Sequence, residues 1–575
     1  MGCCHRAAES RILVGIMMPG TTPLERGEIS ARPEHIFPTL TPAQIGRVKA
    51  HGTPRAVQPG ETLVEEGATV VPFFVVTKGH LEIVRLVEGQ EFLVAVHGPG
   101  QFTGEVNMLS GRRSLFRMRA SAPAEVIEMN REDVQALVQT DADLGEILMR
   151  AFILRRVELV AHGMGDVVLL GSLHSAETLR IKGFLTRNNH PYTYLDLDLD
   201  PDAQGMLDRF HVRVDDVPVL ICRGTVLKNP SNQKIAECLG FNEAIERTRV
   251  RDVIIVGAGP AGLAAAVYGA SEGLDVLVVE SSAPGGQAGA SSRIENYLGF
   301  PLGISGQELA GRAYLQAQKF GAQIAIAQGA TRLTCDRTPY AVETAAGERI
   351  PARAVVIATG AEYRRLPLEN LPQFEGAGLY YGATPIEARL CGGEDVIVIG
   401  GGNSAGQAAV FLAETARRVH MVIRSGGLAA TMSRYLVRRI EDNPAIELHT
   451  RTEIVALEGN GELERVQCRN HQTGETRTHA IKHVFVMTGA SPNTRWLNGC
   501  VAIDANGFIK TGPDLSADDL AASKWLRPRA PHLLETSLPG VFAVGDVRGG
   551  NVKRVASAVG EGSIAISFVH RVLQE

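Results

Sequence analysis

The sequence predicts a multidomain chain in which a β-barrel precedes several α/β domains. Its 575 residues exceed what one hydrophobic core usually supports, and a chain of this length corresponds to about four domains of roughly 150 residues. Residues 34–163 alternate short β-rich runs with single glycines, a pattern typical of a barrel or jelly roll. Beyond residue 250, a β-branched run followed by clustered glycines and an alanine-rich stretch occurs twice. That succession of strand, turn and helix indicates α/β units with parallel sheets.

The composition is that of an ordinary globular protein, with 21% charged and 45% apolar residues. A net charge of −5 gives no overall electrostatic reason to bind nucleic acid or an anionic membrane. The uncharged runs 253–270 and 396–413 contain glycine clusters, which fit a strand, turn and helix better than a membrane span. Residues 1–33 show no secretion signal and predict a poorly ordered tail. We therefore expect no nucleic-acid partner, no membrane span and a cytoplasmic location.

The cysteine pattern predicts neither a disulfide framework nor a metal site. No two cysteines form a C-x-x-C pair, and no cluster of His and Cys has the spacing of zinc ligands. In a reducing cytoplasm we expect free thiols and no metal. The eight cysteines are Cys3, Cys4, Cys222, Cys238, Cys335, Cys391, Cys468 and Cys500.

The predicted barrel, residues 34–163, combines short strands with a helix over about 132–162. Its segment 102–114 resembles the cyclic-nucleotide-binding domain, and the family positions match Gly104, Glu105, Arg113 and Ser114. A glycine-led loop ending in Glu offers a carboxylate to the ribose 2′-hydroxyl, and an Arg with a neighbouring hydroxyl can neutralise the cyclic phosphate. The loop is slightly short and Thr103 interrupts it, so Arg112 is the alternative phosphate ligand. The resemblance implies cAMP or cGMP as an effector. The alternative is that the barrel binds no ligand and serves only as a structural or contact module. The predicted strands are Glu61–Val64, Pro72–Thr77, Leu81–Val84 and Phe92–Val96.

Residues 166–245 alternate strands and helices and resemble a small thioredoxin or glutaredoxin domain, with a helix predicted over Ala176–Arg187. Val217-Pro218 stands where that fold carries its cis-proline. The loop after the first strand reads Ser172-Leu-His-Ser175 where active members have C-x-x-C, so it has no thiolate for disulfide exchange. An adaptor or docking domain is the favoured interpretation.

The first glycine cluster after residue 250 is a dinucleotide-binding motif. Gly257 permits a tight turn, Gly259 lets backbone amides reach a pyrophosphate, and Gly262 allows close packing of helix on strand. Pro260 and Ala261 begin the helix, whose N-terminus favours phosphate. Glu280 ends the next predicted strand, at the spacing from Gly257 that is expected for a carboxylate that binds an adenosine ribose.

The second cluster repeats this device with one change. Gly400 and Gly402 precede a helix that begins with Asn403, Ser404 and Ala405. At the corresponding ribose position stands Arg424 instead of an acid. Because an arginine there can pair with a 2′-phosphate, the sequence favours NADPH over NADH. The alternative is a solvated Arg424 and an enzyme that accepts either nucleotide.

Two such Rossmann units in tandem resemble the low-molecular-weight thioredoxin reductases, and the matching motifs extend over residues 251–575. The resemblance implies an FAD-binding domain over 250–362 and 488–575, an NAD(P)H-binding domain over 363–487, and a homodimer. It adds to the FAD-binding residues Gly286, Gln287, Asn296, Gly545, Asp546, Arg554, Val555 and Ala556.

The chain departs from that family at the cysteine pair. Gly382 and Pro385 occupy the two positions, and Cys391 stands alone further along the chain. Hydride transfer from the nicotinamide to the flavin remains expected, because the cofactors carry that chemistry. The family's next step, from flavin through a disulfide to thioredoxin, lacks its cysteines, so the catalytic residues stay unassigned.

We therefore predict an FAD-dependent NAD(P)H oxidoreductase of thioredoxin-reductase type, regulated by a cyclic nucleotide. The candidate acceptors are ferredoxin, flavodoxin, thioredoxin and quinone. Two alternatives stay open: a thioredoxin-disulfide reductase that uses other cysteines or a partner's, and a signalling protein that binds flavin and cyclic nucleotide without turnover.

Overall fold

The structure is a computed structural model that describes residues 33–87, 90–105, 107–161, 167–200, 213, 216–222 and 225–575. Apart from Pro33, the tail predicted for residues 1–33 lies outside the described residues. Among the described helices, none combines the length and apolar composition needed to cross a lipid bilayer.

The first unit is a double-layered antiparallel β structure, as the sequence predicts. Its strands pair in the orders β1-β7-β3 and β2-β6-β4-β5. The predicted helix over 132–162 is two helices, because Asp141 adopts an extended backbone and its carboxylate accepts a hydrogen bond from the Leu144 N–H at 3.1 Å. The strands are β1 Thr53–Val57, β2 Thr62–Val64, β3 Phe73–Lys78, β4 Leu81–Val87, β5 Gln90–His97, β6 Arg117–Arg119 and β7 Ala124–Met129. The helices are α1 Pro33–Ile36, α2 Pro42–Lys49, α3 Asn107–Ser110, α4 Arg131–Thr140 and α5 Ala142–Ala161.

The second unit is a four-stranded sheet in the order β11-β10-β8-β9, in which β8 and β9 run parallel and β10 runs antiparallel to β8. This is the strand arrangement expected of a thioredoxin-like domain, and the Val217-Pro218 peptide is cis as predicted. The helix predicted over Ala176–Arg187 has those bounds. The elements are β8 Val167–Gly171, α6 Ala176–Arg187, β9 Thr193–Asp196, β10 Val219–Cys222, β11 Thr225–Lys228 and α7 Asn232–Leu239.

The first Rossmann unit has the sheet order β14-β13-β12-β17-β16-β15, with β28 parallel to β17. Helix α14 packs tightly on α8, since a Cβ on Gly562 would lie 2.2 Å from the Ala261 carbonyl oxygen. The elements are β12 Arg251–Val256, α8 Pro260–Ser271, β13 Val276–Glu280, α9 Gly306–Lys319, β14 Gln323–Ile326, β15 Ala330–Thr334, β16 Tyr340–Thr344, β17 Arg349–Ile357, β28 Val541–Ala543 and α14 Val555–Gln574.

The second Rossmann unit is a parallel sheet in the order β19-β26-β20-β21-β22, covered on one face by the antiparallel meander β23-β24-β25. Strands β18 and β27 pair where the chain crosses between the Rossmann units. The elements are β18 Ala361–Tyr363, β19 Leu379–Tyr380, α10 Pro385–Leu390, β20 Asp395–Ile399, α11 Asn403–Leu412, β21 Arg418–Val422, α12 Arg434–Glu441, β22 Ile446–His449, β23 Thr452–Glu458, β24 Arg465–Asn470, β25 Thr476–His479, β26 His483–Val486 and β27 Ala490–Pro492. The chain then returns to the first unit, and this returning segment contains α13 Ala517–Ala522.

The prediction that all cysteines are free thiols is wrong for four of them. Disulfides join Cys222 to Cys238 and Cys335 to Cys500, across 16 and 165 residues of sequence. The fold brings these partners together, and such separations carry no short-range signal. Cys391 and Cys468 are free and buried, and Cys3 and Cys4 lie outside the described residues.

Candidate functional site

The first glycine loop joins β12 to α8, and close packing requires two of its glycines. Gly257 has φ +104°, and a Cβ there would lie 2.4 Å from the Ala358 carbonyl oxygen. A Cβ on Gly262 would lie 1.8 Å from the Gly257 carbonyl oxygen. At Gly259 the nearest described atom to an added Cβ is 3.9 Å away, so this glycine borders open space. Helix α8 begins there without a side-chain cap, which leaves its first N–H groups available to a pyrophosphate.

Glu280 ends β13 beside this loop and is buried. Its carboxylate accepts hydrogen bonds from the backbone N–H groups of Ala258 and Ser282, each at 2.8 Å. The acid predicted to bind a ribose is therefore held against the glycine loop, which fits the dinucleotide motif.

Two further predicted segments converge on the same loop. A Cβ on Gly286 would lie 3.1 Å from Gly259 Cα, and one on Gly545 would lie 3.0 Å from Ala261 Cβ. The Gln287 side-chain amide donates to the Ala361 carbonyl oxygen. Burial raises the pKa of Asp546, and Lys553 partly opposes that rise. The sequence motifs at 257–262, 280, 286–287 and 545–546 thus form one site that fits FAD.

The remaining predicted FAD residues belong to the start of α14 and to the loop after Ile294. Arg554 precedes α14 as its N-cap, and Val555 and Ala556 form the first turn. Asn296 is exposed on the loop between Ile294 and Ile304, which pair with each other through their backbones.

The second glycine loop joins β20 to α11 with the same geometry. Gly400 has φ +138°, and a Cβ there would lie 2.4 Å from the Met487 carbonyl oxygen. Apart from Gly402 itself and its chain neighbours, no heavy atom of the described residues lies within 4 Å of a Cβ added there, and α11 begins without a side-chain cap. The Asn403 side-chain oxygen accepts from the Ser433 N–H at 2.7 Å, and Ala405 is buried beneath the loop. This loop is open for a second dinucleotide.

Arg424 follows the end of β21 and is exposed. Arg451 was missed by sequence reasoning because it belongs to a later connection, the turn between β22 and β23. Its backbone N–H donates to the Ser425 carbonyl oxygen at 3.0 Å, and its guanidinium would lie 3.4 Å from a Cβ on Gly426. Two guanidinium groups therefore flank the loop where a ribose 2′-phosphate is expected.

Residues adjacent to the two glycine loops line one cleft of about 970 Å³. Gly286 and Gln287 line it from the first Rossmann unit, and Gly382, Ala383 and Ser404 line it from the second. Within the described chain, four arginines also line the cleft: Arg187, Arg364, Arg365 and Arg495.

Ser404 ties the start of α11 to the crossing strand β18. Its side chain is hydrogen-bonded to the hydroxyl of Tyr363. Burial raises the pKa of Tyr363, and the hydrogen bond with Ser404 partly opposes that rise. Tyr363 belongs to β18 and packs on the core of the second unit.

The two positions of the expected cysteine pair are occupied by residues without redox chemistry. Gly382 faces the cleft, and Pro385 is the first residue of α10. Cys391 ends that helix, where burial raises its pKa to about 11 and its thiol donates to the Glu387 carbonyl oxygen at 3.5 Å. A buried thiol with so high a pKa is a poor nucleophile near neutral pH.

The barrel contains a small, mainly apolar cavity of about 90 Å³. Gly104, Glu105 and Ser114 line this cavity, as the cyclic-nucleotide motif predicts. Arg113 is not among the described lining residues, because its side chain packs against Gly240 of the thioredoxin-like unit.

Arg155 of α5 lines the cavity instead. Its guanidinium donates to the carbonyl oxygens of Ile36 at 2.9 Å and Gly104 at 2.7 Å, and its Nη2 has no hydrogen-bond partner among the described residues. Burial lowers its pKa to about 9, and Glu105 opposes that decrease. Because this arginine comes from a helix that follows the whole barrel, the loop motif gave no sign of it.

Arginines also connect the barrel to the thioredoxin-like unit. Arg112 is buried and donates to the Asn188 carbonyl oxygen at 3.0 Å. Arg156 lies 3.5 Å from the Glu105 carboxylate and donates to the Asn189 carbonyl oxygen at 2.8 Å. The loop motif is thus joined to the neighbouring unit through Arg156.

Comparison with known proteins identifies two parts of the chain. Residues 251–562 match the family of pyridine nucleotide-disulphide oxidoreductases, and residues 54–141 match the cyclic nucleotide-binding domain. The thioredoxin reductase of Bacillus subtilis is 32% identical over 328 residues, which cover 57% of this chain and 96% of that protein. NADPH-dependent thioredoxin reductase 3 of Arabidopsis thaliana is 32% identical over 335 residues, 56% of this chain, and the match spans only 58% of its own length. The crystal structure of Lactococcus lactis thioredoxin reductase, in the conformation named FR, superposes with a TM-score of 0.50 at 27% identity and covers 56% of this chain and all of that one.

These matches coincide with the two glycine loops and the barrel described above, and they make the second half of the chain an oxidoreductase of the thioredoxin-reductase-like flavoprotein type. The chain belongs to the pyridine nucleotide-disulphide oxidoreductases and carries, in addition, a cyclic nucleotide-binding domain.

Proposed function

We propose that this protein oxidises NADPH through bound FAD and delivers the electrons to an external acceptor, without an internal dithiol. One observation carries the proposal: Gly286, which packs on the first dinucleotide loop, and Ser404, which follows the second, line a single cleft, and the cysteine positions beside that cleft hold Gly382 and Pro385.

The proposed FAD site uses Gly257, Gly259 and the N-terminus of α8 for the pyrophosphate and Glu280 for the adenosine ribose. Bound FAD would supply a ring that accepts hydride from a nicotinamide. Asp546 and the first turn of α14 are proposed to hold the remainder of the cofactor. Gly286 and Gln287 line the cleft beside it.

NADPH is the proposed reductant. Gly400 and Gly402 leave the start of α11 open to its pyrophosphate, and Arg424 together with Arg451 would pair with its 2′-phosphate. NADH would lack that charge pairing and should react more slowly.

The proposed acceptor is an acidic one-electron carrier of the ferredoxin or flavodoxin class. The cleft is lined by Arg187, Arg364, Arg365 and Arg495, with Glu362 as the one acid among the described residues that line it. Such a basic surface would attract an acidic protein and accelerate its association. Thioredoxin and quinone remain as competing acceptors for the experiment to exclude.

The thioredoxin-like unit packs against the second Rossmann unit and lacks a redox pair of its own. This favours a docking role for the unit and an acceptor outside the chain. A Cβ on Gly376 would lie 2.5 Å from Ala176 Cβ, and Leu179 packs on the core of the second unit. The Cys222–Cys238 disulfide offers no substitute for a redox pair, since Cys222 is paired with Val167 at the end of β8 opposite the Ser172–Ser175 loop. We propose that this unit acts as a docking domain.

A cyclic nucleotide, cAMP or cGMP, is the proposed effector. Gly104, Glu105 and Ser114 line the cavity, and Arg155 provides there the guanidinium that the motif assigns to Arg113. A ligand that displaces the Glu105 carboxylate would disturb its contact with Arg156, and through Arg156 the loop at Asn189. The domain match and this connection support regulation through the barrel.

We also propose a homodimer formed through the first Rossmann unit. Leu298 and Leu302 are 92% and 79% exposed on that unit, and burying them against a second copy would be favourable. Light scattering of the full-length protein measures the mass directly.

The decisive experiment mixes the FAD-loaded protein anaerobically with NADPH and follows the flavin absorbance and each acceptor. We expect rapid flavin reduction and turnover with ferredoxin or flavodoxin, and a smaller rate with thioredoxin or quinone. Flavin that stays oxidised would overturn the enzyme proposal in favour of a signalling role. Rapid reduction with turnover only on thioredoxin would overturn the choice of acceptor.

A further inference from the structure

Three histidines and a glutamate converge in the second Rossmann unit, away from the cleft. His420 lies on β21, Glu447 and His449 lie on the adjacent strand β22, and His479 ends β25 of the meander. His420 Nδ1 is 3.0 Å from His449 Nε2. The Glu447 carboxylate lies 3.5 Å from His449 Nε2 and 3.7 Å from His420 Nδ1. Parallel pairing of β21 with β22 places His420 directly opposite Glu447, so the sheet itself fixes this approach.

The ring spacing matches that of imidazoles around one tetrahedral ion. With Zn–N bonds of about 2.0–2.1 Å, each ring centre lies roughly 3.2 Å from the metal, and two rings at a tetrahedral angle have centres about 5.2 Å apart. The centres of His420 and His449 are 5.2 Å apart. Those of His420 and His479 are 5.6 Å apart, and those of His449 and His479 are 6.1 Å apart. Small side-chain movements would bring His479 into the same sphere.

The charged groups around the cluster have the positions of outer-shell partners. Asp395 lies 3.9 Å from His420 Nε2, on the side of the ring opposite the Nδ1 that faces His449. At this distance the carboxylate is not hydrogen-bonded to the ring, and a small movement would let it accept the Nε2–H of a ligating imidazole. Arg418 donates to the Glu447 oxygen Oε2 at 3.2 Å, which leaves Oε1 facing His449.

We propose that His420, Glu447 and His449, with His479 as the fourth ligand, form a binding site for Zn²⁺. Imidazole and carboxylate ligands suit this ion, and four such groups complete a tetrahedral structural site. The site would join the edge strand β22 to β21 and to the meander, close to Arg424 along the chain. The proposal departs from the expectation from the sequence that the chain has no metal site, because these ligands come from three separate strands and follow no zinc-finger spacing.

The test uses the full-length, FAD-loaded protein after removal of metals with a chelator. Zn²⁺ is titrated calorimetrically, and bound metal is counted by mass spectrometry. We expect one Zn²⁺ per chain. Co²⁺ in its place should give the intense visible absorption of a tetrahedral site.

Ligand variants should weaken binding by at least the roughly 10- to 100-fold that loss of an outer-shell partner causes. The variants are His420→Gln, Glu447→Gln, His449→Gln and His479→Gln. His471→Gln is the matched control, because His471 is an exposed histidine of the same unit that pairs with Glu453 at 3.3 Å. It should bind Zn²⁺ as the unmodified protein does.

The Glu447 side chain is half exposed, so Glu447→Gln tests the site without threatening the fold, and retained FAD confirms folding in every variant. No saturable Zn²⁺ binding, or binding that is unchanged in both Glu447→Gln and His449→Gln, would overturn the proposal and leave a simple histidine hydrogen bond. Loss of binding in His471→Gln alone would place the metal elsewhere and would also overturn it.

Discussion

The Arg187 guanidinium of the thioredoxin-like unit donates a hydrogen bond to the Gly286 carbonyl oxygen at 3.0 Å. Gly286 in turn packs on Gly259 of the first glycine loop. Burial lowers the pKa of Arg187, and the Glu280 carboxylate opposes that decrease. A side chain from one unit thus supports the loop proposed to hold FAD in another, which connects the thioredoxin-like unit directly to the redox site.

Arg187→Ala should weaken FAD binding. Hydrogen bonds to charged groups contribute about 1.5–3 kcal/mol, so we expect an affinity loss of roughly 10- to 100-fold. Fluorescence titration of the FAD-free protein with FAD measures it. Arg180→Ala is the control on the same helix, since Arg180 bonds Asn232 and Pro230 within its own unit. An equal loss of FAD in both variants would show that helix packing, not the bond to Gly286, was responsible.

Arg424→Ala should reduce kcat/KM for NADPH by roughly 10- to 100-fold, because a charge-assisted bond to the 2′-phosphate is lost. The rate with NADH should change little, and Arg451→Ala should have the same selectivity. Stopped-flow reduction with each nucleotide gives the comparison. Arg469→Ala serves as control, since Arg469 pairs with Glu453 on the meander. Equal losses for NADPH and NADH would contradict the 2′-phosphate assignment.

Variants of the barrel should distinguish the contributions of Arg155 and Arg113 to cyclic-nucleotide binding. Arg155 lines the cavity and Arg113 packs against Gly240, so we expect Arg155→Gln to weaken cAMP binding more than Arg113→Gln does. Equilibrium dialysis with cAMP and cGMP measures both, and Glu105→Gln tests the ribose contact independently. Abolished binding in Arg113→Gln with binding retained in Arg155→Gln would restore the motif's assignment.

Sequence reasoning succeeded where a pattern is local. The two glycine motifs and helix Ala176–Arg187 depend on turn chemistry and helical periodicity within a few residues. It failed where tertiary packing decides. The side chain of Arg113 packs against Gly240 of the thioredoxin-like unit and not into the barrel cavity. The two disulfides join residues that only the fold brings together.

Acid should destabilise the protein through His97. This histidine is buried in the barrel, and burial with the nearby Arg155 lowers its pKa well below its usual value. Below about pH 6.5 the unfolded chain therefore binds a proton that the folded chain excludes, and stability falls as the pH falls, by up to about 1.4 kcal/mol per pH unit. Scanning calorimetry of the full-length protein from pH 7 to 5 should show a shallower decrease for His97→Gln. His51→Gln changes an exposed histidine and should keep the original slope, and an unchanged slope in His97→Gln would contradict the assignment.

Restoring the cysteine pair should open the disulfide route. Gly382 lines the cleft, and apart from its own atoms and its chain neighbours no heavy atom of the described residues lies within 4 Å of a Cβ added there. Pro385 begins α10, where a helix N-terminus lowers the pKa of a thiol. The double variant Gly382→Cys, Pro385→Cys should therefore gain NADPH-dependent reduction of thioredoxin or of an aromatic disulfide, while the unmodified protein and Gly382→Cys alone should show little. Cys391→Ser should leave every rate unchanged, because that thiol is buried with a pKa of about 11. In the double variant, the flavin could be reduced rapidly while the new cysteines stay oxidised. That result would show that this protein differs from the thioredoxin reductases it resembles by more than these two side chains.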